Sequence, residues 1–477
     1  MPWVTLLFPP TFFSAMRYEG AVEKKIKEAG AEIGDRVRIK RGDVEYEGVL
    51  MPRHALTGAD IAVLKLDSGY NVGVRISDDA VVELVEKKKP SERKKREIPP
   101  GNRPEVHFLS TGGTIASYVD YRTGAVHPAV TAEDLVFSVP EILDLCTPHA
   151  TVVSSVLSEN MTPDIWVSLA EKVAESFKEG AVGVVIPHGT DTMAYTAAAL
   201  SFMVQNPPGP VVLVGSQRSS DRPSSDATMN LLCATRVAMS PLREVAVVMH
   251  AETGDTWCAV HRGTRVRKMH SSRRDAFLSI NTPILGRVVG ENVELYPWAR
   301  TSTDGEMVLK TSMERDVALV YFYPGMGVER FRKMVDGARG VVLAGTGLGH
   351  VSSDLIEEIK QLTESGVVVA VTTQCLWGRV NLNVYSTGRE MLLAGAVPCG
   401  DMLPEVAYVK MMWTLGNTSG PEEAKKLLTQ PLAGEINPSS SLFSDGFPGT
   451  KTPPEMTTGG GEKEREAKDD KKGGEGR

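Results

Sequence analysis

A few short polar stretches of this chain hold side chains suited to covalent catalysis. The first is 109-LSTGGTIAS-117, where Thr111 and Thr114 bracket a Gly-Gly pair directly after the apolar run 106-VHFL-109. Gly112 and Gly113 permit a tight turn. Outward-facing N–H groups at such a turn bind an anion or a developing oxyanion, and a neighbouring hydroxyl can act as nucleophile. A generic strand-to-helix turn and a phosphate loop are competing readings, although the spacing fits neither GxGxxG nor GxxxxGK[ST]. The second stretch is 187-PHGTDTMAYTAAA-199. Thr190 and Asp191 stand where a helix would begin, so either can be a cap, but two hydroxyls bracketing a carboxylate also suit the grip of a substrate ammonium. The third, 262-RGTRVRKMHSSRRDAF-277, is strongly basic. It reads as a nucleic-acid contact, as a solvated face, or as the setting of a lysine, Lys268, that works as a base beside a hydroxyl. Two weaker candidates are Tyr121 in the polar segment 118-YVDYRTGAV-126 and Ser158 in 157-LSENM-161. The stretch 345-GTGLGH-350 lacks the form of a dinucleotide fingerprint, and no nicotinamide cofactor is expected.

The elements that must position these residues follow from hydrophobic periodicity. Apolar runs at 106–109, 182–189, 211–216, 245–250, 317–322, 340–345 and 367–373 alternate with amphipathic segments such as 163–180 and 192–204. Near-continuous apolar strands between helices predict an α/β fold with a doubly wound parallel sheet, covered on both faces. Ligands in such folds bind beyond the carboxyl ends of the strands. There the runs give way to STGGT, PHGTDT, GSQR, HAETGD and GTGLGH. Ahead of this body, 31–76 alternates apolar and charged residues with period two between Gly-Asp turns, predicting a small antiparallel β-barrel-like domain. The expected organisation is an extension and short helix over 1–29, the small β domain over 30–85, and a basic linker over 86–103. Then come a larger α/β domain over 104–300, a smaller one over 312–436, and a disordered, charge-rich tail over 437–477.

Bulk properties narrow the classes. The 477 residues carry 53 basic and 60 acidic side chains, a formal charge of -7, which argues against coating of nucleic acid. The five cysteines form no CxxC pair, so neither a disulfide framework nor a zinc site is expected, and a reducing cytoplasm is the natural setting. No apolar run reaches the ~20 residues of a membrane span. The apolar start MPWVTLLFPPTFFSA lacks the basic flank of a secretory signal.

Taken together, LSTGGTIAS, PHGTDTMAYTAA and the Lys268 region resemble the bacterial-type L-asparaginase/glutaminase family over roughly 104–436. The resemblance implies that Thr114 is the nucleophile and Tyr121 its mobile activating tyrosine. It also implies that Ser158 holds the substrate α-carboxylate and that Thr190, Asp191 and Lys268 complete the catalytic set, with Phe277 at the family's spacing downstream. The segment 373-TQCLWGRVNLNVYSTGRE-390 offers no match for the acid that the family takes from a neighbouring subunit. The N-terminal IGDRVRIKRGDVEYEGVLMPRH, the late 400-GDMLPEVAYVKMMWTLG-416 and PLAGEI are similar to the D-type subunits of archaeal glutamyl-tRNA(Gln) amidotransferases. That implies a glutaminase component with no cofactor or metal of its own, a homodimer within a heterotetramer. Its partner, the E-type subunit of the amidotransferase, would bind tRNA(Gln) charged with glutamate and use ATP and Mg to convert it to Gln-tRNA(Gln). A free-standing L-asparaginase/glutaminase and a non-catalytic RNA-docking protein are the alternatives.

Overall fold

The computed structural model describes residues 18–53, 58–67, 71–88, 103–112, 117–120, 125–128, 139–218 and 224–440, the side chains of 117–120 and 125–128 excepted. The N-terminal unit is a five-stranded antiparallel sheet of β1 (Arg36–Arg41), β2 (Val44–Leu50), β3 (Ile61–Lys65), β4 (Asn71–Arg75) and β5 (Val81–Glu86), in the order β4-β3-β2-β1-β5. Period-two alternation decides its two faces. Val37 and Ile39 of β1 are fully buried, in a core shared with Val22 and Ile26 of helix α1 (Gly20–Glu28). The intervening Arg36, Arg38 and Lys40 face outward onto carboxylates. Arg36 meets Glu47 at 3.2 Å, Arg38 meets Glu47 at 2.8 Å, and Lys40 meets Glu83 at 3.0 Å. The basic alternation of this strand is therefore neutralised within its own sheet.

The larger α/β unit is an eight-stranded sheet in the order β18-β17-β14-β13-β12-β10-β6-β9. Its strands are β6 (Glu105–Ser110), β9 (Thr147–Val152), β10 (Gly183–Pro187), β12 (Val211–Val214), β13 (Val245–His250), β14 (Trp257–Arg262), β17 (Gly286–Val289) and β18 (Asn292–Leu295). The five from β9 to β13 are parallel, as the apolar runs predict. The remaining three are antiparallel; the connection from β13 to β14 over 251–256 is too short to carry a crossover helix. Along β10, Val184 and Ile186 enter one core while Val185 enters another, and β12 and β13 divide their side chains in the same way. Each such residue contributes about 1.5–3 kcal/mol by burial. Helices α2 (Pro163–Lys178) and α3 (Met193–Met203) cover the first face and α4 (Ala227–Ala238) the second. Three short antiparallel pairs complete the unit: β7 (Ser117–Asp120) with β8 (Ala125–Pro128), β11 (Val204–Gln205) with β19 (Val308–Leu309), and β15 (Val266–Lys268) with β16 (Phe277–Ser279).

The smaller unit is a four-stranded parallel sheet of β20 (Val317–Tyr321), β21 (Gly340–Gly345), β22 (Val368–Thr373) and β23 (Val397–Pro398). Its helix α5 (Pro404–Gly416) packs on α3 of the larger unit. This explains why α3 is apolar all round: one side meets the sheet and the other meets α5. Phe202 and Trp413 stack across the contact with ring centroids 6.0 Å apart, and one apolar core runs through both units. Beside it, Arg265 and Asp401 form a buried ion pair at 3.1 Å between the two units. Removing one member of such a pair strands the other charge, which costs about 3–5 kcal/mol. Asp401→Ala is therefore expected to lower unfolding stability by roughly that amount in urea titrations, and an unchanged midpoint would show that the pair does not tie the units together.

Candidate active site

The polar ends of β6 and β10 lie side by side, because the two strands are parallel neighbours in the sheet. Just past β6, the Thr111 N–H and hydroxyl both donate to the Pro187 carbonyl at the end of β10, at 3.1 and 3.2 Å. Gly112 follows with a φ of +104°, and a Cβ there would stand 2.5 Å from the Val156 carbonyl oxygen, so only glycine fits this turn. Thr114 and Tyr121 lie outside the described residues, so the structure reaches the proposed nucleophile's turn at Gly112 and stops there.

The other four candidates are described. Lys268 ends β15, and its ammonium donates to Thr190 Oγ1 at 2.8 Å and to Asp191 Oδ1 at 2.7 Å. The lysine side chain is 13% exposed and Asp191 is 66% exposed, so the cluster opens to solvent on the carboxylate side. Across the hairpin Lys268 pairs with Phe277, which is buried and anchors the strand. Ser158 is buried in a short 3-10 turn at Ser158–Asn160. A Cβ on Gly189 would come within 2.7 Å of the Ser158 side chain, so Ser158 presses directly on the turn that carries Thr190. The Ser158 carbonyl also accepts the Thr192 hydroxyl at 2.7 Å. Thr192, and neither Thr190 nor Asp191, occupies the N-cap position of α3. The capping reading of Thr190 and Asp191 falls away, and each accepts a hydrogen bond from Lys268.

The basic run 262–274 is not a free phosphate-binding stripe, and only its 270–273 stretch is exposed to solvent. Each of its lysine and arginine side chains has a carboxylate partner: Arg262 with Glu244, Arg265 with Asp401, Arg267 with Glu405, Lys268 with Asp191, Arg273 with Asp275 and Arg274 with Asp255. Strand alternation sorts them. Val266 and Lys268 face the larger unit, whereas Arg265 and Arg267 face the smaller one. Sequence spacing hid this because all the partners except Asp275 lie at least 18 residues away along the chain.

Sequence reading also passed over His188. It is fully buried, with Nδ1 2.6 Å from the Gly189 carbonyl and Nε2 2.8 Å from Thr196 Oγ1. The carbonyl only accepts, so Nδ1 carries the hydrogen; Nε2 accepts from the Thr196 hydroxyl, whose oxygen in turn accepts the Trp166 indole N–H. This chain of hydrogen bonds fixes the His-Gly turn ahead of Thr190. Its only signal in the sequence was adjacency to the Gly-Thr-Asp run.

Residues 105–300 match the family described as Asparaginase, N-terminal, and 316–428 the Glutaminase/Asparaginase C-terminal domain. Among solved structures, the thermostable L-asparaginase from Thermococcus kodakarensis superposes with a TM-score of 0.65 at 35% identity, covering 70% of this chain and all of the other. L-asparaginase I from Vibrio cholerae gives 0.61 at 32% identity, covering 70% of this chain and 99% of the other. The fold and the cluster thus define an amidohydrolase of the asparaginase class. Residues 31–85 match the GatD N-terminal domain. The D-type subunit of the Pyrococcus furiosus glutamyl-tRNA(Gln) amidotransferase is 52% identical over 87% of this chain and 98% of its own length. Its Saccharolobus solfataricus counterpart is 48% identical over 90% of this chain and 98% of its own. The chain belongs to the family of D-type subunits of glutamyl-tRNA(Gln) amidotransferases.

Burial pushes both His188 and His261 down to about 4 from an ordinary 6.5. A folded value below the unfolded one means the unfolded chain takes up the extra protons. The stability tied to these neutral rings is therefore complete above pH 6.5 and is lost as pH falls toward 4, by on the order of 3 kcal/mol for each ring. Urea midpoints should begin to fall between pH 6.5 and 5, above the range in which carboxylates titrate. The fall should be shallower in His188→Asn. A midpoint flat across that window would contradict the assignment.

Proposed function

We propose that the chain is the glutaminase component of a tRNA-dependent amidotransferase. It hydrolyses glutamine through a threonine nucleophile and passes the ammonia to a partner subunit that converts Glu-tRNA(Gln) to Gln-tRNA(Gln). The observation that carries this reading is the Lys268 ammonium held on Thr190 and Asp191 beside the Thr111–Gly112 turn. An amide is a poor electrophile and a threonine hydroxyl a poor nucleophile, so splitting the hydrolysis in two eases both steps.

In the proposed course, Thr114 attacks the side-chain carbonyl of glutamine. Backbone N–H groups of the glycine turn and of residue 190 receive the oxyanion, each worth about 3 kcal/mol. The C–N bond breaks as the proton lost from the Thr114 hydroxyl is passed to the leaving nitrogen, and ammonia departs, leaving a glutamyl ester. Thr190, hydrogen-bonded to Lys268, relays protons and orients the water that hydrolyses the ester. Asp191, two-thirds exposed, keeps its outer oxygen for the substrate ammonium, Ser158 takes the α-carboxylate, and Tyr121 activates Thr114. The partner, the E-type subunit in the family's terms, supplies the tRNA site and the ATP and Mg chemistry.

The test is glutamine hydrolysis by the purified chain, alone and with the partner subunit and Glu-tRNA(Gln). The expected result is strong stimulation by the complex, and loss of about a thousandfold or more in Thr114→Val, Thr190→Val and Lys268→Met with folding intact. Full turnover by Thr114→Val would remove the nucleophile assignment. Equal turnover without the partner, with asparagine as good a substrate as glutamine, would instead make this a free-standing L-asparaginase/glutaminase.

A further inference from the structure

The opposite end of the same sheet holds a second cluster of chemistry-bearing side chains. Glu105 and His107 lie two residues apart on β6 and share a face. His149 of β9 is the register partner of His107. The ligand atoms of Glu105, His107 and His149 all lie within 4.8 Å of one another. A fourth candidate donor comes from the cap of α2: Glu179 Oε2 is 3.7 Å from His107 Nδ1. His149 Nε2 is 3.8 Å from Glu105 Oε2. The two imidazoles stand 4.9 Å apart, tilted by 39°, and so are not stacked face to face.

We propose that Glu105, His107, His149 and Glu179 form a site for a divalent transition-metal ion of the zinc class, one that ties strand β9 to β6. Two imidazoles and two carboxylates are a borderline donor set that suits Zn2+ over Mg2+ or Ca2+. A tetrahedral ion with bonds of ~2.1 Å needs donors roughly 3.4 Å apart. The 3.7 and 3.8 Å pairs already approach that spacing. Glu105, His149 and Glu179 are about half exposed and free to swing inward, while His107 is held by burial.

The location gives the ion a structural task. β9 is the outermost strand of its sheet, and its far end runs through Val153 to Ser158, while β6 runs into Thr111 and Gly112. A cross-link near the start of both strands fixes their register without touching the reacting groups. Sequence spacing could not show the site, because His107 and His149 are separated by 42 positions and meet only through parallel pairing.

The experiment is Zn2+ titration of chelator-stripped full-length protein by calorimetry, with thermal melting and the visible spectrum of the Co2+ form alongside. The expected result is one saturable ion per chain, a higher melting temperature and the intense bands of tetrahedral Co2+. His149→Ala, an exposed position, and Glu105→Gln should each weaken Zn2+ binding by about tenfold or more and remove those bands, with circular dichroism unchanged. Absence of saturable binding would overturn the proposal, and so would binding that both variants leave intact.

Discussion

The Lys268 ammonium, shared between Thr190 and Asp191, is the contact that the rest of the body is built to hold. Its strand is only three residues long and would not keep a lysine in place by itself. Phe277 anchors it from across the hairpin, and Val266 enters the core that includes α3. Arg265 and Arg267 pull its other face onto Asp401 and Glu405 of the smaller unit. The Thr264 hydroxyl and the Arg265 Nε donate to the carbonyls of Ala433 and Gly434. The late segment of the chain is thus a strap across the back of the lysine's strand.

This arrangement explains why two α/β units share one apolar core. A flexible joint between them would let the Arg265–Asp401 and Arg267–Glu405 contacts part, and the lysine would move with its strand. Burial of α3 between sheet and α5 prevents that. Buried polar side chains also fix the turns at the ends of neighbouring strands. Asp226 accepts the N–H groups of Gln217 and Arg218, fixing the turn after β12. His188, Thr196 and Trp166 do the corresponding work after β10.

Much of this was legible in the sequence where local rules act. Continuous apolar runs announced the parallel strands, and alternation announced the N-terminal antiparallel sheet. The antiparallel edge from β14 to β18 was less visible, because Cys258, Ala259 and Val260 are buried much as a parallel strand would be. Motifs named Thr190, Asp191, Lys268 and Ser158, and the structure brings these four into one neighbourhood. Partnerships at long range were not legible. The basic run at 262–274 resembled a surface patch because most of its carboxylates come from elsewhere in the chain. His188 and the His107–His149 pair escaped for the same reason: burial and strand register are properties of the fold, not of spacing. Thr114 and Tyr121 lie outside the described residues, so their roles rest on sequence resemblance and on the turn at Gly112 that leads to them.

The most direct test of the threonine mechanism is to catch the acyl-enzyme. The protein is acid-quenched during glutamine turnover, digested, and the modified peptide located by mass spectrometry. The mechanism predicts a glutamyl ester on Thr114, which accumulates when Thr190 is replaced by valine only if deacylation is the step that Thr190 serves. An ester on Thr190, with Thr114 unmodified, would contradict the central assignment and reverse the roles of the two threonines.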